Sequence, residues 1–521
     1  MTGTAPEALR PRHPNPRSLS GLAEAFGFET RGDVNGLEIT GASLASGQVR
    51  HGDLYVGVPG RRAHGAAYAA DAAAHGAVAV LTDPEGARLA ASALAEAETE
   101  LPVLVTDDPR AALGAVAGWI HRTEENPATL FAVTGTNGKT SVVYLLYAVL
   151  RQLGVVAGLS STAERRIGDE AVTSSLTTPE ASELHALLAR MREEEVRAVG
   201  IEVSAQALSR HRVDGIAFDV VGFTNLSHDH LDDYASMEEY YAAKLALFQP
   251  ERSQRGVVTV DSEWGRRLVA DSRIPVATLA TEAGAAADWR MTLLEESATH
   301  TRFRLDGPDG RSLETRVPLL GWYMAANAAL ALVMLVESGY DLGQIGHVLE
   351  RDGGIDAYIP GRAERISGER GPLVYIDYGH SPDAFLQTLG AIRPHTPGKL
   401  IMVFGADGDR DTTKRAEMGA IAARGADVVV VTDFHPRFED PAAIRAQLIA
   451  GAREAVPDAE ILEIADPRVA FRAALELAGE GDAILYAGPG HEDYHEVAGE
   501  KIPYSAREDS KQALRDAGWL A

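Results

Sequence analysis

Along this chain short apolar runs recur, separated by stretches in which apolar residues return every three or four positions. Runs at 54–58 and 77–81 alternate with an Ala-rich helical segment at 66–75. The region from 38 to 84 therefore predicts a small α/β domain, which ends near Asn126-Pro127. A new strand is expected at 129–133, followed by a Gly-rich turn and an apolar helix over 140–153. β-branched runs at 198–203, 218–224 and 256–260 continue the alternation. Buried apolar strands alternating with helices predict a parallel sheet covered on both faces. The Gly- and Pro-containing stretch 353–360 reads as a linker. After it, runs at 373–377, 400–404, 427–432 and 483–487, separated by helical segments such as 442–455, predict a second α/β unit. The expected organisation is an α/β protein: a frayed, disordered tail (1–20), then three domains over 21–127, 128–356 and 357–521. No fixed-period repeat or low-complexity tract interrupts it.

Composition narrows the function. A chain of 521 residues exceeds what one core supports. Its 49 basic and 75 acidic residues give a formal charge of −26. Such a surface repels nucleic-acid phosphates, and no run of Lys and Arg offsets it, so no nucleic-acid partner is expected. An acidic substrate would need positive groups concentrated in its site. The absence of cysteine excludes disulfides, thiolate metal sites and cysteine nucleophiles, and fits a cytoplasmic location. No stretch approaches the ~20 apolar residues of a membrane span, and the Pro- and Arg-rich N-terminus lacks a signal-like apolar segment.

The strongest local signal is Thr134-Gly135-Thr136-Asn137-Gly138-Lys139-Thr140-Ser141, between the expected strand and helix. Glycines let the backbone turn so that its N–H groups face an anion, and the helix N-terminus adds partial positive charge. Lys139 can reach β- and γ-phosphates, and Thr140 offers a hydroxyl to Mg²⁺. Val133 stands where the commoner phosphate loop has its first glycine, so the match is to the variant GxxGKT. The bland alternative is a Gly-rich turn. The loop alone leaves motors, GTPases, kinases and ligases open.

Further chemistry clusters downstream. Glu202 closes an expected strand, where α/β sheets present their ligands. Thr224 to Asp232 places two His and two Asp after another strand, a weak metal signal by itself. Tyr241, Leu245 and Phe248 form a helical stripe with Lys244 beside it; such a lysine usually snorkels.

Together these segments resemble MurE-type Mur ligases. GTNGKT, EVS, TNLSHDHLD, YYAAKLALF, ANAALAL, PGRAE, DYGHSPDA, GADGDRDTTKR and GPGHEDY occur in the family's order, from about residue 38 to the end. The resemblance implies a central P-loop domain, a smaller N-terminal domain for a UDP-type acid and a Rossmann-like C-terminal domain for the amino acid. It implies that ATP phosphorylates a carboxylate and that an amine displaces the phosphate. Lys139, Glu202, His230 and Lys244 would be catalytic. Gly135 to Ser141, Asn327, Arg362 and Asp377 would bind ATP. Two Mg²⁺ would be held by Thr140, Glu202, His230 and Lys244, the last carbamylated by CO₂. A folylpolyglutamate-synthase-like activity fits the late motifs less well. A binding protein with a dead site is disfavoured because the catalytic set is present.

Ser46, Thr177, Thr178, Ser204 and Arg212 match acid-binding positions of the family. Arg410, His435, Arg437, Gly488 and Glu492 match amino-acid-binding positions. Here Phe434-His435-Pro436-Arg437 stands where diaminopimelate-adding members carry Asp-Asn-Pro-Arg, so an amino acid with a distal carboxylate, diaminopimelate or another, is expected. Ala45-Ser46-Gly47 replaces the family's Asp-Ser-Arg near the uridine. Two readings follow: a monomeric cell-wall ligase acting on UDP-MurNAc-L-Ala-D-Glu, or a paralogue that ligates a different acid.

Overall fold

A computed structural model describes residues 9–60, 63–168, 170–174, 176–229 and 231–520, to which all counts below refer. The first sheet holds Gly41–Ser43, Asp53–Gly57, Ala79–Thr82 and Val103–Val105 in parallel, with Glu29–Arg31 antiparallel at its edge. The expected tail is ordered from Leu9 onward and bridges this domain and the central one. Leu9 packs in the central domain's core, and the Arg12 and His13 N–H groups donate to Glu193 at 2.8 and 2.9 Å. Arg10 Nη1 donates to both carboxylate oxygens of Asp53, at 2.9 and 2.6 Å. Arg17–Ser18 pairs antiparallel with Glu38–Ile39, and Ser18 caps the helix Leu19–Phe26. The Asp53 side chain is 2% exposed. A carboxylate that deep needs a cationic partner, which the Arg-rich segment supplies.

The central sheet has eleven strands. In its middle Ala157–Ser160, Ala198–Glu202, Thr129–Thr134, Phe218–Phe223, Ser253–Thr259 and Val276–Ala280 lie side by side and parallel. Helices Lys139–Gln152 and Trp322–Glu337 pack on one face, and Ala181–Glu193, Ala205–Ser209 and Met237–Leu245 on the other. Strands buried on both faces are the continuous apolar runs of the sequence. The parallel expectation stops at the edges. One edge is the hairpin Glu164–Ile167/Glu170–Thr173; the other is a meander of Trp289–Glu296, Thr301–Asp306 and Ser312–Val317. In the last of these Leu313, Thr315 and Val317 face inward while their neighbours face water. That alternation belongs to a one-sided antiparallel sheet.

The C-terminal sheet runs Leu373–Asp377, Ala483–Ala487, Leu400–Phe404, Val428–Val431, Glu460–Glu463 in parallel, with Glu364–Arg365 antiparallel outside. The segment 353–360 connects it to the central domain without helix or strand. Among the described residues no helix is long and apolar enough to cross a membrane.

If the Arg10–Asp53 pair anchors the N-terminal segment, Arg10→Ala leaves a buried carboxylate without its cation. We expect a loss of about 2 kcal/mol in chemical denaturation of the intact chain. An unchanged midpoint would mean that the segment rests on the domain without supporting it.

Candidate active site

The phosphate loop is shaped by what surrounds it. Gly135 and Gly138 have φ of 148° and 89°, the left-handed half of backbone space. A Cβ on Gly135 would collide with the Thr224 hydroxyl; one on Gly138 would stand 2.5 Å from Asn327 Oδ1. The loop is pinned by the segment after strand Phe218–Phe223. The Thr136 and Asn137 N–H groups donate to the Asn225 carbonyl and Oδ1, both at 2.9 Å. Thr224 Oγ1 donates to the Asn137 carbonyl at 2.6 Å, and the Ser227 N–H to Thr136 Oγ1 at 3.0 Å.

Three cationic side chains converge here. Lys139 Nζ folds back on the carbonyls of Gly135 and Thr136, at 3.0 and 2.8 Å. Burial lowers its pKa, against the raising influence of Glu202 and Asp229. Lys244 approaches from the opposite side, donating to the Gly135 carbonyl at 2.8 Å, 4.3 Å from the Tyr240 ring centroid. It does not snorkel: it is 1% exposed. Burial first, and then the Lys139 charge, hold its pKa well below the ordinary lysine value, while Asp229 opposes them. Arg362, from the C-terminal domain, donates to Thr140 Oγ1 at 2.9 Å and stacks 4.3 Å from the Tyr378 ring.

Glu202 ends its strand fully buried. Its two oxygens accept from the Thr162 N–H (2.9 Å) and Oγ1 (2.8 Å). Asp377 ends a strand of the C-terminal sheet and accepts from the N–H groups of Ala363 (2.7 Å) and Gly379 (2.8 Å). Asn137 Nδ2 donates to Asp383 across the cleft at 2.9 Å. The carboxyl ends of the two sheets thus face one another. Between them lies a cavity of about 460 Å³, whose walls include the loop 136–141, Thr177, Glu202, Asp229, Asn327, Arg362 and Asp377. Most residues expected around ATP are therefore brought together. His230 lies outside the described residues, so its expected role is left to the sequence.

The cavity also has a wall that motif reading did not name. Asp261 follows the strand Ser253–Thr259 and accepts from the N–H groups of Thr281 and Glu282, each at 3.0 Å. With Trp322 and Gln387 it lines the same cavity as Glu202. The signal was available, because Asp261 follows a parallel strand as Glu202 closes one.

Among the described residues no preformed group of three His, Asp or Glu holds a metal. The donors present, a threonine hydroxyl and a carboxylate beside a phosphate loop, fit Mg²⁺, which keeps waters and takes phosphate oxygens with one or two carboxylates.

The expected acid-binding residues form a second group. Thr178 Oγ1 donates to the Glu202 carbonyl (2.8 Å) and accepts from the Ser204 N–H (3.1 Å). Thr177 Oγ1 lies 3.2 Å from Thr162 Oγ1, whose proton is given to Glu202. Arg212 pairs with Glu180 at 3.1 Å, as Arg110 of the N-terminal domain does at 2.6 Å. Ser46 stands apart, opening a 3₁₀ turn beyond strand Gly41–Ser43.

The amino-acid group lies in the C-terminal domain and does not line the 460 Å³ cavity. His435 Nδ1 accepts from the Glu496 N–H (2.9 Å), which puts the ring proton on Nε2, facing Glu492 at 2.9 Å. Gly488 donates its N–H to the Asp377 carbonyl at 2.9 Å, and Arg410 is exposed. Arg437 has φ 50° and three partners: Glu496 (3.0 Å), the Gly408 carbonyl (2.8 Å) and Asp407 (3.1 Å).

A phosphate loop facing a second α/β domain across a cleft, with buried carboxylates and lysines between, is the arrangement of a nucleotide-dependent ligase. The sequence matches the catalytic domain of the Mur ligase family at 38–118, the Mur ligase middle domain at 133–335 and the glutamate ligase domain at 361–490. It is 73% identical, over 100% of both chains, to a UDP-N-acetylmuramyl-tripeptide synthetase of Leifsonia xyli subsp. xyli. It is 42% identical, over 99% of both, to a UDP-N-acetylmuramoyl-L-alanyl-D-glutamate–2,6-diaminopimelate ligase of Streptomyces coelicolor. A solved structure of a ligase of the latter name superposes with a TM-score of 0.63 at 26% identity, covering 95% of this chain and 99% of that one. The chain belongs to the Mur ligase family and is an ATP-dependent acid–amino-acid ligase. None of these relatives supports the divergent-paralogue reading.

The loop geometry makes a direct prediction. Gly135→Ala should fold yet bind ATP at least tenfold more weakly by calorimetry, since strain and collision together cost about 1–3 kcal/mol. Unchanged affinity would show that the loop adjusts freely and that its φ values are incidental.

Proposed function

We propose that this ligase joins an amino acid bearing a distal carboxylate to the D-glutamyl carboxylate of UDP-MurNAc-L-Ala-D-Glu. Diaminopimelate, printed in the names of its relatives, is the first candidate amine. On this reading the enzyme works in the cytoplasm as a monomer. The observation that carries it is the convergence of Lys139, Thr140, Arg362 and Glu202 on one cavity that also reaches Thr177.

A carboxylate oxygen attacks the γ-phosphorus of ATP, the bond to the β,γ-bridging oxygen breaks, and ADP leaves. The amine nitrogen then attacks the acyl carbon, the carbon–oxygen bond to phosphate breaks, and an amide, phosphate and a proton result. Both reactants of the first step are anions, so cations must be in place before they meet. Lys139 and Arg362 do this from opposite domains. Mg²⁺, held by Thr140 and Glu202 and, from the sequence motif, His230, would neutralise the phosphate oxygens. Lys244 fits the carbamate role because a neutral amine is what adds CO₂, and burial shifts its pKa down, towards that form. The product anion would then face the metal side of the loop. Thr178, Ser204 and Arg212 would hold the acid, and Arg410, His435, Arg437, Gly488 and Glu492 the amino acid.

The decisive assay supplies Mg-ATP and UDP-MurNAc-L-Ala-D-Glu with one amino acid at a time. Phosphate release that needs both substrates, with an amide product of the expected mass, supports the reading. ATP binding without turnover on any amine sinks the assignment of the acid. For the lysine, Lys244→Ala should lose at least a hundredfold in rate and recover in part with added acetate or formate; full activity without rescue would remove its role. For the arginine, Arg437→Ala should lower kcat/KM about thirtyfold for diaminopimelate and less than threefold for lysine, the ~2 kcal/mol of one charge-assisted contact. An equal loss for both would rule out selection at this position.

A further inference from the structure

We propose that Lys414 is a positioning residue that ties the amine-anchoring loop to the segment holding the phosphate loop, so that the amino acid docks against a closed active site. The proposal rests on the ligase reading above. Lys414 is absent from the groups already assigned, yet its Nζ stands 3.0 Å from Asp229 Oδ1 across the interface between the central and C-terminal domains. Both side chains are 8% exposed. A charge-assisted contact at that depth is screened little by water, so it couples the two segments more firmly than a surface pair would.

The surroundings give the pair a direction. On its own side, Lys414 follows Arg410, the expected anchor of the amine's α-carboxylate, in the loop after strand Leu400–Phe404. The loop is rigid at its end. Arg415, 1% exposed, pairs with Glu439 at 2.5 Å and donates to Gln447 Oε1 at 3.0 Å and to the Asp407 carbonyl at 2.8 Å. The same loop touches the facing segment twice more, through Thr413 Oγ1 and His228 Nε2 at 3.4 Å and Asp411 and His228 at 3.6 Å. On the other side, the segment 225–229 is bonded to the phosphate loop through Asn225 and Ser227. Asp229 itself lines the ATP cavity. Residues 225–229 therefore have the phosphate loop on one flank and the Arg410–Lys414 loop on the other. The second set of interdomain contacts, Arg362–Thr140 and Asp383–Asn137, grips the nucleotide end of the cleft. Lys414 grips the end where the acyl group must meet the amine.

Two consequences separate positioning from general stability. Without the Lys414–Asp229 pair, ATP affinity should fall less than amino-acid affinity, because the Arg362–Thr140 and Asp383–Asn137 contacts to the phosphate loop remain. The acyl phosphate, by contrast, should be exposed to water before the amine is seated. We would compare Lys414→Met and Lys414→Arg with the parent, after confirming by thermal unfolding that each is folded. Hydrogen exchange of the free protein needs no substrate and tests the pair even if the assigned acid is wrong. Exchange at 225–229 should quicken at least tenfold in Lys414→Met and be largely restored in Lys414→Arg. With substrates, Lys414→Met should keep its ATP dissociation constant within twofold. It should raise the amino-acid KM about tenfold and release several phosphates per amide rather than one, and Lys414→Arg should return the ratio towards one. Unchanged exchange in folded Lys414→Met, or one phosphate per amide at an unchanged amino-acid KM, would overturn the proposal.

Discussion

Everything in this structure is organised around the repulsion between a carboxylate and a phosphate that have to react. The chain carries a formal charge of −26, so its overall field opposes an acidic substrate and ATP alike. The remedy is local. Lys139, Lys244 and Arg362 meet around one turn of backbone, two of them buried on the central domain and one delivered by its neighbour. Burial and the neighbouring Lys139 lower the pKa of Lys244, and burial lowers that of Lys139. Asp229 opposes both shifts, and Glu202 opposes the one on Lys139.

The fold serves that cluster by aiming the carboxyl ends of two parallel sheets at each other. Each sheet ends its strands in short polar turns: Glu202 and the Asn225 segment on one side, Asp377 and the Arg410 loop on the other. Neither sheet has a complete site. Arg362 reaches Thr140, Asp383 reaches Asn137 and Lys414 reaches Asp229, so the chemistry depends on the domains being brought together. The N-terminal domain meets the central one elsewhere, through Glu180, which Arg110 and Arg212 share, and through contacts such as Arg192 to the His121 and Arg122 carbonyls.

The strands 373–377, 400–404 and 483–487 coincide with the apolar runs that predict them, since a strand buried on both faces leaves no other pattern. The residues expected around ATP stood out as a group for a different reason: their motifs occur in a fixed order, and in the fold most of them line one cavity. The meander from Trp289 to Val317 was not, because one-sided strands mix polar and apolar residues and resemble loops. The ordered segment from Leu9 was obscured by its Pro- and Arg-rich composition; the partner that orders it, Asp53, lies 43 residues from Arg10. Nor does a sequence show that Lys244 is buried or that Arg437 is already flanked by Asp407 and Glu496. Those facts belong to packing between distant segments.

The central claim is that this cleft lets a carboxylate attack ATP and then shields the acyl phosphate until an amine arrives. The most direct test omits the amine: the protein is mixed with Mg-ATP, UDP-MurNAc-L-Ala-D-Glu and hydroxylamine, and the acid is examined by mass spectrometry. The account predicts an ATP-dependent hydroxamate on the glutamyl group, formed at the expense of one phosphate each. Tight ATP binding with no hydroxamate, from protein that still forms the amide when the amine is supplied, would contradict it.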